Sequence, residues 1–84
     1  MLYGVYYTYK ACDDLADLPK DTQKRIADKM RFYSSQKDPL KFAKHLINFN
    51  EGEFRFRIGD FRVFFDVMKD RIFILRIKHR SKAY

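Results

Sequence analysis

The residues best suited to chemistry in this 84-residue chain are arginines set in strict alternation. Residues 54–65 read FRFRIGDFRVFF, so Arg55 and Arg57 alternate with Phe54, Phe56 and Ile58 before a Gly59-Asp60 pair, and Arg62 follows it. Strand side chains alternate faces with a period of two, so this pattern predicts one apolar face and one guanidinium face. A Gly-X pair suits a two-residue type II′ turn. That loop sets Ile58 opposite Phe61, Arg57 opposite Arg62 and Phe56 opposite Val63. Like charges directly opposite one another are destabilising by about 0.2–1 kcal/mol. Retaining them implies an anion that the guanidinium pair meets, since the arginine fork binds phosphate or carboxylate oxygens in pairs and stays charged at neutral pH. The competing explanation is a solvated basic strand face that blocks aggregation.

The whole chain supports the anionic reading. Its formal net charge is +7, and +5 of this lies in residues 71–84, where Arg71, Arg76, Lys78, Arg80 and Lys82 occur with no acid. Such a balance points to a polyanionic partner, nucleic acid or an acidic protein. At 46% hydrophobic and 18% aromatic the composition is that of a globular chain rather than a disordered one. The length predicts a single domain spanning residues 1–84. The lone Cys12 has no partner for an internal disulfide, no Cys/His spacing suggests a structural metal, and a reducing cytoplasm is the expected compartment. Neither a signal peptide nor an apolar run of transmembrane length is apparent, so a membrane partner is not expected.

These residues need a scaffold. Leu2 to Tyr9 reads as a first strand. Lys10 to Leu18 reads as a short helix, with Cys12, Leu15 and Leu18 facing inward and Asp13, Asp14 and Asp17 facing water. Pro19 ends that helix or opens the next, Lys20 to Tyr33, which carries an Ile26, Met30, Tyr33 stripe. Residues 41–50 are ambiguous, with a helical turn as one option, and Asn50-Glu51-Gly52 is turn chemistry. Strands follow at Glu53 to Ile58, Phe61 to Met68 and Ile72 to Lys78. The fold class is α+β in the order βααβββ: the N-terminal strand joins a mainly antiparallel four-stranded sheet, and the helical hairpin packs on one face.

The register of the last strand decides where its charge lies. A three-residue loop at Lys69-Asp70-Arg71 with a bulge sends Phe73, Leu75 and Ile77 to the core side with Phe61, Val63, Phe65 and Val67. It places Arg76 beside Phe64 and Lys78 beside Arg62. A two-residue loop would put Phe73, Leu75 and Ile77 on the arginine face instead. Since register follows the buried face, the three-residue loop is expected. The opposite face of the sheet is then basic, holding Arg55, Arg57, Arg62, Arg76 and Lys78 around Phe64, whose role is either to stack on a base or, preferably, to support the arginine stems.

An N-terminal strand, a helical hairpin with a Leu18-Pro19 turn, FRFRIGDFRVFFDV, a short turn and IFILRIKHRSKAY together resemble the RelE/ParE superfamily of toxins from toxin–antitoxin modules. By element order the resemblance covers nearly the whole chain, and its specific part runs from Phe54 to Tyr84. The resemblance implies a RelE-like messenger RNA endonuclease that acts on the ribosome without metal or other cofactor. It implies that Arg55 and Arg57 match the basic residues before the Gly turn, Arg62 the arginine after it, and Arg80 and Tyr84 the tail pair, with His79 beside them. RelE itself favours lysine at the two strand positions. A RelB-like antitoxin, the ribosome and messenger RNA are the implied partners. ParE-type members share the fold, act on DNA gyrase instead and generally lack the full set of residues. A third reading is a non-toxic interaction module.

Cleavage of this kind has a ribose 2′-OH attack the adjacent phosphorus, forming a 2′,3′-cyclic phosphate and expelling the 5′-oxygen. It requires a base, stabilisation of the phosphorane charge and protonation of the leaving oxygen. With the resemblance in hand, Arg55, Arg57, Arg62 and Arg80 are the expected phosphate ligands, supported by Arg76 and Lys78. Arginine is a poor base, so proton transfer falls to His79, Tyr84 or Lys78. The plainer alternatives are a strand-end histidine for His79 and a frayed terminus for Tyr84. His45 is expected to be structural or exposed.

Overall fold

A computed structural model describes residues 3–47 and 49–83. It contains β1 (Gly4–Tyr7), α1 (Tyr9–Ala16), α2 (Lys20–Ser34), β2 (Ala43–His45), β3 (Phe54–Ile58), β4 (Phe61–Met68) and β5 (Arg71–His79), with 3₁₀ turns at Pro39–Phe42 and Arg80–Lys82. The sheet has five strands in the order β1-β5-β4-β3-β2. β1 pairs parallel with β5 and the other pairings are antiparallel. The α+β class and the single helical face stand. The strand count rises from four to five because β2 lies in the ambiguous 41–50 segment, where three residues are too few to display a period.

The core forms between the helices and one sheet face. Ile26, Met30 and Tyr33 of α2 are buried against Phe56, Val63, Phe65, Ile72, Ile74 and Ile77, with Ala11, Leu15 and Leu18 closing the side. Phe56 stands between Tyr33 and Phe65, both ring centroids 4.3 Å away and nearly parallel. On α1 the buried residue is Ala11, and Cys12 faces solvent, one position from the expected stripe. The helix start explains this rotation. Thr8 Oγ1 accepts from the Ala11 amide at 3.2 Å and donates to the Leu75 carbonyl at 3.2 Å, fixing the helix phase against β5.

The β3–β4 hairpin has the expected register: Ile58 opposite Phe61, Arg57 opposite Arg62, Phe56 opposite Val63. Gly59 takes a left-handed φ of 57°, which glycine adopts at no steric cost. The β4–β5 connection requires a correction. Met68 pairs with Arg71, so the loop is the two-residue Lys69-Asp70, with Lys69 at φ 57°, and not the three-residue loop. The bulge sits in mid-strand instead. Pairing shifts at Phe64/Phe65, where Phe64 faces Arg76 and Phe65 faces Ile74, leaving Leu75 as the extra residue. Ile72 and Ile74 are therefore fully buried before the bulge and Ile77 is buried after it. Phe73 leaves the core side and stacks on Tyr6 at 5.5 Å. Arg76 and Lys78 still fall beside Phe64 and Arg62, because the shift precedes them.

No helix among the described residues is long and apolar enough to cross a membrane.

Candidate functional site

The sheet face turned away from the helices carries two cross-strand rows. The pairings align Lys78, Arg62 and Arg57 in one, and Arg76, Phe64, Arg55 and Lys44 in the other. Adjacent strands lie about 4.7–4.9 Å apart, so the first row is a line of closely spaced cations, while Phe64 separates Arg76 from Arg55 in the second. Their side chains are held in different ways.

Arg57 is exposed and makes no hydrogen bond or ion pair among the described residues. Arg55 is half-buried, and its Nε is buried with no partner. An unpaired buried donor of this kind carries a desolvation cost of about 1–3 kcal/mol, and an anion that accepts from it would remove that cost. Arg62 is only 8% exposed, and its Nη1 donates to the carbonyls of Gly59 at 3.1 Å and Phe61 at 3.0 Å. This arginine therefore braces the turn as well as charging the face. Phe64 is fully buried beneath Phe49, the two rings stacked at 4.8 Å, so it supports its neighbours and is not available to stack on a base.

Arg76 and Lys78 belong to an ion-pair cluster that sequence reading did not foresee. Asp14 grips Arg76 through Nε at 2.8 Å and Nη2 at 3.2 Å, and its Oδ2 also accepts from the Ile77 amide at 2.9 Å. Glu51 accepts from Arg76 Nη1 at 3.1 Å and pairs with Lys78 Nζ. Asp14 thus does not face water as expected. β1 ends at Tyr7, and α1 lies along the stretch of β5 that β1 leaves uncovered, where Asp14 satisfies an edge amide. Glu51 arrives on the β2–β3 connection, which crosses close over the sheet: a Cβ at Gly52, whose φ is +132°, would meet the Phe65 N and O at 3.1 Å. The signal for both acids was the excess of half-buried cations on one face, which requires counter-charges from elsewhere in the chain.

Burial pushes the Asp14 pKa up, but the Arg76 hydrogen bonds, the Ile77 amide and the charges of Arg76 and Lys78 outweigh it and hold the carboxyl below its ordinary value. Arg76 is correspondingly raised, first by its hydrogen bond to Asp14. A folded pKa below the unfolded one stabilises the fold above the unfolded pKa, and that stabilisation is lost as pH falls through the folded value. Equilibrium unfolding should therefore show Asp14→Asn less stable than the parent by about 1–3 kcal/mol at neutral pH. The difference should shrink steadily below about pH 4, where the parent carboxyl protonates. A gap that stays constant down to pH 2 would contradict the assignment.

The tail turns back onto the hairpin. The Arg80 amide donates to the Asp60 carbonyl at 2.7 Å, and the exposed Arg80 guanidinium lies 3.7 Å from the Asp60 carboxylate. Arg80 is thereby brought to the turn that Arg62 braces. His79 takes a different place. It stands opposite Phe61, a residue packed on the core side, and meets that ring edge-on at 5.5 Å. Its Nδ1 lies 2.9 Å from the Ser81 hydroxyl and 3.2 Å from the Ser81 amide, which ties the ring to the tail. His79 is thus set on the other side of the sheet from Arg62, with Nδ1 engaged by Ser81. Tyr84 lies outside the described residues, and Ala83 before it is buried. His45 is exposed and packs at 5.1 Å on Phe54.

A family model described as the ParE toxin of the type II toxin–antitoxin system parDE matches residues 5–84. Among solved structures, a chain of the toxin–antitoxin complex RelBE2 from Mycobacterium tuberculosis is 28% identical, with a TM-score of 0.79 over 95% of this chain and 100% of that one. A chain of the archaeal RelE–RelB complex from Pyrococcus horikoshii OT3 is also 28% identical, with a TM-score of 0.75 over 99% and 100%. A chain of the RelB–RelE complex from Methanococcus jannaschii, 21% identical with a TM-score of 0.71 over 94% of each, shares the fold. No curated protein sequence matches the chain.

Proposed function

The chain belongs to the RelE/ParE superfamily of toxins from type II toxin–antitoxin modules, and on that premise we propose that it is a ribosome-dependent messenger RNA endonuclease, neutralised by a RelB-like antitoxin in the cytoplasm. The observation that carries the reading is the Arg55 and Arg57 pair. On a face where Arg76 and Lys78 are paired with acids, these two have no partner among the described residues, and Arg55 holds a buried donor unsatisfied. Two such guanidinium groups beside Arg62 suit a phosphodiester whose charge grows in the transition state.

In this reading Arg55, Arg57 and Arg62 hold the non-bridging oxygens, and Arg80 approaches from the tail. The 2′-OH attacks phosphorus, the bond to the 5′-oxygen breaks, and the products are a 2′,3′-cyclic phosphate and a 5′-hydroxyl. His79 fixes the tail through Ser81, and Tyr84 is the tail residue offered to the substrate. The proton moves through the tail or through groups of the ribosome–RNA complex. The 28% identity to chains of two RelB-bound toxins supports the antitoxin partner.

The matched ParE family model favours a second reading, inhibition of DNA gyrase without nuclease activity. A translation extract programmed with a defined messenger separates the two. The nuclease reading expects cuts at fixed positions that appear only when ribosomes are engaged. Intact messenger together with stalled gyrase would replace it with the second.

A further inference from the structure

The row Lys78–Arg62–Arg57 differs at its two ends. Arg57 is open to solvent, whereas Lys78 is held by Glu51, which also takes the Arg76 Nη1. Asp14 and Glu51 are not equivalent partners. Asp14 grips Arg76 by two bonds and satisfies the Ile77 amide as well, so it is part of the fold. Glu51 makes only side-chain contacts to these cations, from a turn, and about a quarter of its side chain is exposed, as for Lys78. Rotation about its own side-chain bonds is enough to release them. With Glu51 in place, Asp14, Glu51, Arg76 and Lys78 cancel as a set. With it withdrawn, Arg76 keeps Asp14 and Lys78 becomes an uncompensated, partly buried cation next to Arg62.

We propose that Arg76 and Lys78 form a second phosphodiester seat, occupied in the free protein by the Glu51 carboxylate, and that single-stranded RNA displaces Glu51 when it lies along the row. This rests on the RNA reading above. A phosphate neighbouring the one held by Arg57 and Arg62 meets Lys78 at the next strand. The displaced carboxylate makes binding weaker than the face's cations alone would give, so contact by stray RNA is disfavoured and a fully positioned strand is required.

The test uses the full chain and a 2′-O-methyl oligonucleotide, which has no free 2′-OH and cannot be cut, followed by fluorescence anisotropy from 50 to 200 mM salt. Glu51→Gln should raise affinity about threefold to tenfold at the lowest salt. The log–log salt dependence should be the same in both forms, because RNA displaces Glu51 in the parent and meets the same phosphates, whereas Lys78→Gln should flatten it by about 0.7, the increment for one phosphate on a single strand. Asp38→Asn, the same charge change at an exposed loop residue, should give no such gain in affinity. In a Lys78→Gln background the affinity gain from Glu51→Gln should shrink. Unchanged affinity in folded Glu51→Gln would overturn the proposal, as would a slope that Lys78→Gln leaves unchanged or absence of oligonucleotide binding by either form. A gain for poly-glutamate without a gain for the oligonucleotide would assign the seat to a protein carboxylate and overturn it equally. Messenger cleavage by the parent with no gain in Glu51→Gln removes the seat and leaves the nuclease reading intact. A gain in affinity with no cleavage on the ribosome does the reverse.

Discussion

Arg57→Ala is expected to slow cleavage of ribosome-bound messenger by about a hundredfold to a thousandfold, the usual loss when one donor to a developing oxyanion is removed. The protein itself should be no less stable. Arg57 is exposed and has no partner among the described residues, and substitutions at such positions fall within about 0.5 kcal/mol of neutral. A small gain is expected, because Arg57 stands directly opposite Arg62 and removing one of two like charges relieves about 0.2–1 kcal/mol. This separation of effects makes Arg57 more informative than Arg62. Arg62 is 8% exposed and donates to the Gly59 and Phe61 carbonyls, so truncating it disturbs the turn as well as the charge. Single-turnover rates and thermal unfolding on the same Arg57→Ala sample give both readouts. An unchanged rate in a folded variant would remove Arg57 from the site.

Phe56→Ala is the substitution expected to cost most stability, about 3–5 kcal/mol. The ring is fully buried and packed between Tyr33 of α2 and Phe65 of β4, each 4.3 Å away. It is the place where the main helix meets the centre of the sheet. A domain of this length has a total stability of about 4–13 kcal/mol, so the loss is a large share of it. The basic face should fail with it, since Arg55 and Arg57 are the immediate neighbours of Phe56 on β3 and depend on that strand's pairing. Urea unfolding should report the full loss in midpoint with little change in slope. A loss below about 1 kcal/mol would mean that the cavity collapses freely and that the stack is not what joins α2 to the sheet.

Strict alternation made the hairpin legible. FRFRIGDFRVFF has only one register that buries Phe56, Ile58 and Val63 together, and the fold adopts it. The end of β5 was legible for the same reason, since Ile77 had to be inside and Arg76 and Lys78 outside. The start of β5 was not. Residues 72–75 are all apolar, so nothing in their order says which two face the core, and a bulge at Leu75 satisfied both halves of the strand where a longer loop had been expected. β2 is three residues long and takes its identity from pairing with β3. The ion pairs were hidden by distance along the chain. Asp14 and Arg76 are 62 positions apart, and helical spacing alone assigned Asp14 to water. The phase of α1 depends on Thr8 reaching Leu75, a contact that local pattern does not encode. The candidate site was therefore legible as a set of residue types on one face. The division between paired and unpaired cations on that face came from tertiary structure.

If this basic face holds a scissile phosphodiester for attack by its own 2′-OH, the new ends of a messenger cut on programmed ribosomes carry the mark of that attack. Every upstream fragment should end in a 2′,3′-cyclic phosphate and every downstream fragment should begin with a 5′-hydroxyl, with both losing intensity in Arg57→Ala. Intact messenger, or fragments with 3′-hydroxyl and 5′-phosphate ends, would contradict it.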